Sequence, residues 1–430
     1  MHHLLKTIAA CTQKPNIFLG SYIKCRFRFC FGFSVIQSPI HRTTLLNHTM
    51  TDRNPEEFIG KRRQDLPTPS IIIDKKKVTK NSLRMQEQVA ELGISLRHHV
   101  KTHKSTEATR IVLGKNCHNV IVSTLAEARG LAPLIADGTV RDITFGLPVV
   151  KSYLPELAEL TKKVAVRVMV DHPDHIKLLS SHGGRWSVFI KIDGGDHRAG
   201  IAHTSNSLRE ILAAIDNAPN VDLFGFYSHA GTSYAAKDVT EAAKFLLNEF
   251  TVTVEAAKLV SSPVCISVGA TPTAHSVSAF KTFQSSLPKN ASFEIHAGNY
   301  PILDIQQLAT GLIVAEDIAM TLLVEVVSVY DERNEACINA GVIALGREAG
   351  PLPGFGRVKS HVEWHVGKVS QEHGILQSKG SSTSPETFTI GDKIEIEPQH
   401  ACITAGGHRH FFIDDGTGTI EDVWYPWRGW

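Results

Sequence analysis

The order of apolar and polar positions divides the chain into segments of different texture. From residue 95 to about residue 300, short apolar runs alternate with longer stretches whose apolar residues recur every three or four positions. The short runs are SLRHHVK (95–101), NVIVST (119–124), DITFGL (142–147) and KVAVRVMVD (163–171). They continue with WSVFIKID (186–193), VDLFGFYSH (221–229), CISVGA (265–270) and SFEIHAG (292–298). Each has the length of a strand, while the intervening LAEARGLAPLIADG and VTEAAKFLLNEFTVTVEAAKLV carry helical spacing. Eight strands alternating with helices predict a (β/α)8 barrel of the TIM type.

The flanking segments read differently. PSIIID (69–74) is one more strand, followed by the amphipathic segment KKVTKNSLRMQEQVAEL. The barrel already has its eight strands, so this one is expected to pair with the C-terminal region. After residue 320 the runs MTLLVEVVSVYD, EACINAGVIAL, HVEWHVGKVSQ, KIEIEPQHACIT and HRHFFIDD predict short strands with little helix. SKGSSTSPET (378–387) reads as a loop. The predicted organisation is an N-terminal extension at 1–49, a strand and helix over 50–94, the barrel over 95–318 and an all-β domain over 319–430.

Composition narrows the class of protein. Of the 430 residues, 42% are apolar and 20% charged, which fits a globular chain with an ample core. The formal charge of +2 gives no bulk reason to bind nucleic acid, and no run of 18 apolar residues predicts a membrane span. Seven scattered cysteines without a CxxC favour reduced thiols and an intracellular, cytoplasmic setting. Residues 1–50 contain no Asp or Glu and several Lys and Arg, the composition of a mitochondrial presequence. Met50 nevertheless opens an ordinary soluble N-terminus, so the extension also reads as an upstream start, and it is left out of the fold.

Barrel enzymes carry their chemistry at the C-terminal ends of strands. Here those ends offer Lys101, His103 and Lys104, then Asp193, His197 and Arg198, then Tyr227, His229 and Tyr234. A lysine at such an end suits Schiff-base chemistry, because burial frees the neutral amine. The bland reading of any one of them is a solvated rim lysine. Two glycine turns, Gly269-Ala270-Thr271 and Gly298-Asn299-Tyr300, close the last two strands, where barrels commonly hold a phosphate. Barrel closure makes those strands neighbours of the first, so a lysine would face a phosphate nest, as pyridoxal phosphate requires. In the C-terminal region His400 and Cys402 stand two apart, which on a strand puts both on one face. Imidazole and thiolate together suit Zn²⁺. Cys402 equally suits a buried apolar role, and His408 and His410 repeat the spacing as rival ligands.

DLPTPS, HVKTHK, WSVFIKIDGGDHRAG, SVGATPT, EIHAGNY, SQEHGIL and PQHACIT together resemble the eukaryotic, particularly fungal, D-serine dehydratases. That family belongs to the alanine-racemase-like group, which includes D-threonine aldolase. The resemblance runs from about Leu66 to the C-terminus. It implies a pyridoxal 5'-phosphate enzyme, active as a homodimer, that converts D-serine to pyruvate and ammonia. It implies Lys101 rather than Lys104 as the Schiff-base lysine and base for the Cα proton. Arg198 would lie near the cofactor ring edge or the substrate carboxylate, with Tyr227 and Tyr234 lining the pocket. Gly269, Ala270, Thr271, Gly298, Asn299 and Tyr300 match the phosphate cradle. His400 and Cys402 match the zinc pair that assists loss of the β-hydroxyl. An aldolase acting on D-threonine or another 3-hydroxy-D-amino acid is the alternative on the same scaffold. A non-catalytic cofactor-binding barrel is the alternative from another class. The role of Glu372 and His373 in SQEHGIL stays open. One departure stands out: His98 occupies the position where the family has proline before HVKTHK.

Overall fold

The computed structural model describes residues 54–378 and 388–430. The extension at 1–49 and nearly all of SKGSSTSPET lie outside the described residues. The first strand, β1 (Ser70–Asp74), runs straight into the helix Lys75–Glu91, whose free N–H groups are capped by the Asp74 carboxylate accepting from Lys77 N–H at 3.0 Å.

Eight parallel strands then close into a barrel in chain order: β2 (Ser95–His99), β3 (Asn119–Val122), β4 (Asp142–Pro148), β5 (Ala165–Val170), β6 (Trp186–Lys191), β7 (Val221–Ser228), β8 (Val264–Val268) and β9 (Ala291–Ala297). The (β/α)8 reading therefore holds. Alternate residues of each strand face outward, where Val120, Val122, Ile143 and Ile266 join the shell packed under the helices. The other set faces inward, as Ile121, Met169, Phe189, Tyr227 and Cys265 do. Beneath them Arg97 is buried, with Glu294 and Asp142 each 2.6 Å away. A charge so enclosed is tolerable only when paired. Closure sets the register of the last and first strands, with His296 of β9 opposite Arg97 of β2. That register carries the chain after β9 past the residues that succeed β2.

The remaining strands are β10 (Met320–Tyr330), β11 (Glu335–Ile338), β12 (Gly356–Val358), β13 (Trp364–Val369), β14 (Gly374–Ser378), β15 (Lys393–Pro398), β16 (Phe411–Asp414) and β17 (Ile420–Trp424). Among the described residues they form one sheet ordered β11-β14-β13-β12-β15-β10-β1-β16-β17, with β11 returning to β10. The extra strand pairs as the surplus over eight implies: β1 is antiparallel to β10 and parallel to β16. Ile71 and Ile73 point into the main core of this sheet. Ile72 points to its other face.

PQHACIT does not form a strand. Alternation ends at Pro398, and Ala401–Gly406 is a short helix with His400 at its N-cap. The buried residues Ala401, Thr404 and Ala405 show helical rather than strand spacing. Glu372 and His373 lie exposed in the turn between β13 and β14. No helix among the described residues is long and apolar enough to cross a membrane.

Candidate active site

A cavity of about 300 Å³ opens at the C-terminal mouth of the barrel. Lys101, Arg198, Tyr227, Tyr234, Gly269, Ala270, Thr271, Gly298 and Asn299 all line it. Lys101 sits in the 3-10 turn Val100–Thr102 directly after β2. Its N–H donates to His99 Nδ1 at 3.3 Å. That leaves the His99 proton on Nε2, which lies 3.1 Å from Ser123 Oγ. Lys104 is differently occupied. It has a left-handed backbone (φ 48°), its ammonium meets fully buried Glu127 at 3.0 Å, and its carbonyl accepts Trp427 N–H at 2.6 Å.

The two glycine turns meet across the barrel seam. A Cβ on Gly298 would lie 3.0 Å from the His99 carbonyl and 3.7 Å from Lys101 Cε. At Gly269, with φ of +149°, a Cβ would lie 2.0 Å from the His296 carbonyl. Glycine is needed at Gly269 because neighbouring backbone occupies the space, whereas at Gly298 a Cβ would be a tight contact that asks the neighbour to give slightly. Thr271 Oγ1 accepts Asn299 N–H at 3.1 Å, with Tyr234 beside it. Tyr300 departs from the expected cradle at the side chain. Its ring is fully buried and meets His98 edge-on at 5.4 Å, away from the cavity lining.

Imidazoles form one wall. Tyr227 stacks on His296 at 4.1 Å, and His229 Nδ1–H donates to the Gly269 carbonyl at 2.7 Å. His296 Nε2 is buried at the cavity without a partner. Burial, reinforced by nearby Lys101 and Arg198, pushes His229 down to about 3. His99 and His296 are also driven well down, chiefly by burial. Burial likewise lowers Lys191 to about 8, helped by Arg198. Lys191, His99 and His296 were missed by reading strand ends alone. Strand parity would have found them, because Lys191 shares the inward face with Phe189, and His296 with Glu294. His197 turns outward onto Asp193 at 2.7 Å.

The helix Ala401–Gly406 brings the second constellation to the same mouth. Cys402 Sγ lies 3.1 Å from the hydroxyl of Thr102, the residue after Lys101. His400 Nδ1 donates to Glu348 at 2.6 Å, and its ring lies beside Cys402. Burial opposes charge on His400, but Cys402, Asp304 and Glu348 outweigh it and raise the imidazole to about 10. Burial also opposes the thiolate, yet His400, Lys101 and Thr102 hold Cys402 below the usual thiol range. The rivals lie elsewhere. His408 Nε2 bonds the Ala344 carbonyl at 3.0 Å, and His410 packs on Phe412. Among the described residues no three His, Cys, Asp or Glu side chains gather as a metal cluster.

A lysine after the first strand of a closed barrel, two glycine turns beside it and an appended β domain define the alanine-racemase class of enzyme. Residues 73–285 match the alanine racemase N-terminal domain, and residues 319–413 match the putative serine dehydratase domain. The D-serine dehydratase of Schizosaccharomyces pombe is 41% identical over 87% of this chain and 95% of its own length. That of Saccharomyces cerevisiae is 34% identical over 87% and 99%. The chain belongs to the D-serine dehydratase family. D-threo-3-hydroxyaspartate dehydratase from Delftia superposes with a TM-score of 0.75 at 26% identity, over 86% of this chain and all of that one. The same enzyme is known as a cysteine-to-alanine variant in a metal-free form. Membership in the family implies pyridoxal phosphate.

Proposed function

We propose that this chain is a D-serine ammonia-lyase that removes the α-proton and β-hydroxyl of D-serine and releases pyruvate and ammonia. The observation that carries the reading is the convergence of Lys101, the glycine turns and the His400–Cys402 pair on one barrel mouth. The residues fit pyridoxal phosphate. Gly269 leaves no room for a side chain, Gly298 is tight against the His99 carbonyl, and His296 Nε2 lacks a partner within the cavity. Lys101 would hold the cofactor, with Thr271, Gly298 and Asn299 around its phosphate and Tyr234 bracing Thr271. When bound, the cofactor supplies an electron-poor ring that accepts the electron pair released at Cα.

The chain's own groups do the rest. Lys101 Nζ, at the cavity beside Gly298, would take the proton from Cα. Arg198 and Lys191 give the cavity a positive wall that orients the substrate carboxylate. His229, kept neutral by its surroundings, presents an unprotonated Nε2 that does not compete for charge. His400 and Cys402 fit Zn²⁺: a thiolate and an imidazole whose far nitrogen is held by Glu348 have the donor chemistry of a zinc site with open positions. Bound there, the metal supplies Lewis acidity toward the departing hydroxyl. We further propose that the protein works as a homodimer in the cytoplasm, and sedimentation of the purified chain checks its oligomeric state.

The test is pyruvate formation from D-serine after EDTA treatment and after zinc is restored. Loss and recovery are expected, with Cys402→Ala keeping cofactor absorbance while losing turnover by about a hundredfold or more. Activity indifferent to EDTA would remove the metal. Glycine and an aldehyde in place of pyruvate would move the chain to the aldolase branch.

A further inference from the structure

One carboxylate ties the cofactor turn, through Asn299, to the backbone between the two metal-pair residues. Asp304 is 0% exposed. Its Oδ2 accepts from Asn299 Nδ2 at 2.6 Å and from the Ala401 N–H at 2.8 Å. Its Oδ1 accepts the Gln307 N–H at 3.0 Å and so caps the short helix Ile305–Leu308. Asn299 lies on the turn that fronts the cavity, and Ala401 stands between His400 and Cys402. The preceding Leu303 has a left-handed backbone (φ 63°), a strained state that persists only where its surroundings dictate it.

We propose that Asp304 is a positioning residue that couples the two sites, so that pyridoxal phosphate and zinc each bind more tightly when the other is present. The proposal rests on the zinc reading above. One oxygen accepts from both sides, so a shift of either turn moves the acceptor that holds the other. In a buried network such a shift is not absorbed by water. The coupling must be reciprocal, because it is a single free energy shared by two binding events. An amide cannot take this place. It has one accepting oxygen for three donors, and its own NH₂ would face an N–H.

The experiment measures zinc affinity by chelator competition on the full chain, stripped of pyridoxal phosphate and reloaded. In the wild-type protein the cofactor is expected to tighten zinc about fivefold or more. Asp304→Asn is expected to weaken zinc about tenfold without cofactor and to reduce the cofactor's effect to less than about twofold. Asn299→Ala cuts the link on the cofactor side and, because Asn299 also fronts the phosphate, is read at a cofactor concentration that saturates its absorbance. It should keep the cofactor-free zinc affinity and lose the cofactor's effect, which serves if Asp304→Asn does not fold. Equal zinc affinity with and without cofactor in the wild type, or a cofactor effect that survives in Asn299→Ala, would overturn the proposal. If the wild type binds no zinc at all, the metal reading fails, and the coupling is then read from the rate at which iodoacetamide alkylates Cys402. Slowing by the cofactor that is lost in Asn299→Ala supports the link through Asp304, while equal slowing in both proteins overturns it.

Discussion

Lys101 and Lys104 are three positions apart in a run of basic residues, and composition gives no reason to prefer either. What separates them is the partner each has. Lys101 leads from β2 into the cavity with Gly298 beside its side chain, whereas Lys104 neutralises Glu127, which is 0% exposed. The two lysines should therefore fail differently. Lys101→Ala is expected to abolish cofactor absorbance and cut turnover by about a thousandfold, with stability changed by less than about 0.5 kcal/mol. Lys104→Ala is expected to keep cofactor absorbance and to destabilise the fold by about 2 kcal/mol. That figure is below the range for a fully enclosed pair, because the lysine side chain is 23% exposed. Urea denaturation and a visible spectrum of each variant check both expectations. Equal loss of absorbance in the two would contradict the assignment.

At the scale of elements, strands whose partners are strands were legible, because an apolar run of five to seven residues between helical segments has few other ways to be buried. The PQHACIT segment was not. Its H-x-C spacing suits a strand face, yet the N–H of Ala401 is taken by Asp304, a residue about a hundred positions earlier that local pattern cannot supply. The strand β1 shows the opposite case, since its surplus over eight was enough to send it to the other sheet. Ile72 of β1 packs with Phe58, Leu66, Leu323 and Phe412 on the outer face of that sheet. Ile72→Ala is expected to cost about 3 kcal/mol, because the side chain is 2% exposed and sits between two paired strands that cannot collapse onto the gap. A urea midpoint giving a loss below about 1 kcal/mol would mean that β1 is held by its hydrogen bonds rather than by this cluster.

Over the whole molecule, the residues of the site come from many of the barrel's strand ends and from the β domain, and only the closed fold brings them together. The sequence could name most of them but not their protonation, which depends on enclosure. Burial drives His98, His99, His103, His229, His275 and His296 below the usual imidazole value of 6.5, to about 3 for His103 and His229 and about 4 for His275. Above pH 6.5 these groups are neutral both folded and unfolded and contribute nothing to pH dependence. Below it the unfolded chain takes up protons that the fold refuses, so stability falls by about 1.4 kcal/mol per pH unit for each such histidine until its native value is reached. Glu249, pushed up by burial to about 8, works the other way, because the folded state holds a proton there that the unfolded carboxyl has lost above pH 4.5. Asp304, raised by the same cause, opposes the histidines as well. The histidines outnumber these two carboxyls, so the urea midpoint at saturating cofactor is expected to rise modestly from pH 8 to 7, where only Glu249 among these groups takes up its proton in the fold, and to fall steeply between pH 6.5 and 5. The fall should exceed the slope of about 1.4 kcal/mol per pH unit that one group would give. His275 lies outside the cavity, and its Nε2 is buried without a partner. His275→Gln should therefore flatten the acid slope by about one proton's share while leaving cofactor absorbance intact. A wild-type curve that stays level down to pH 5, or a His275→Gln slope equal to the wild type, would mean that these imidazoles gain their protons without unfolding the barrel.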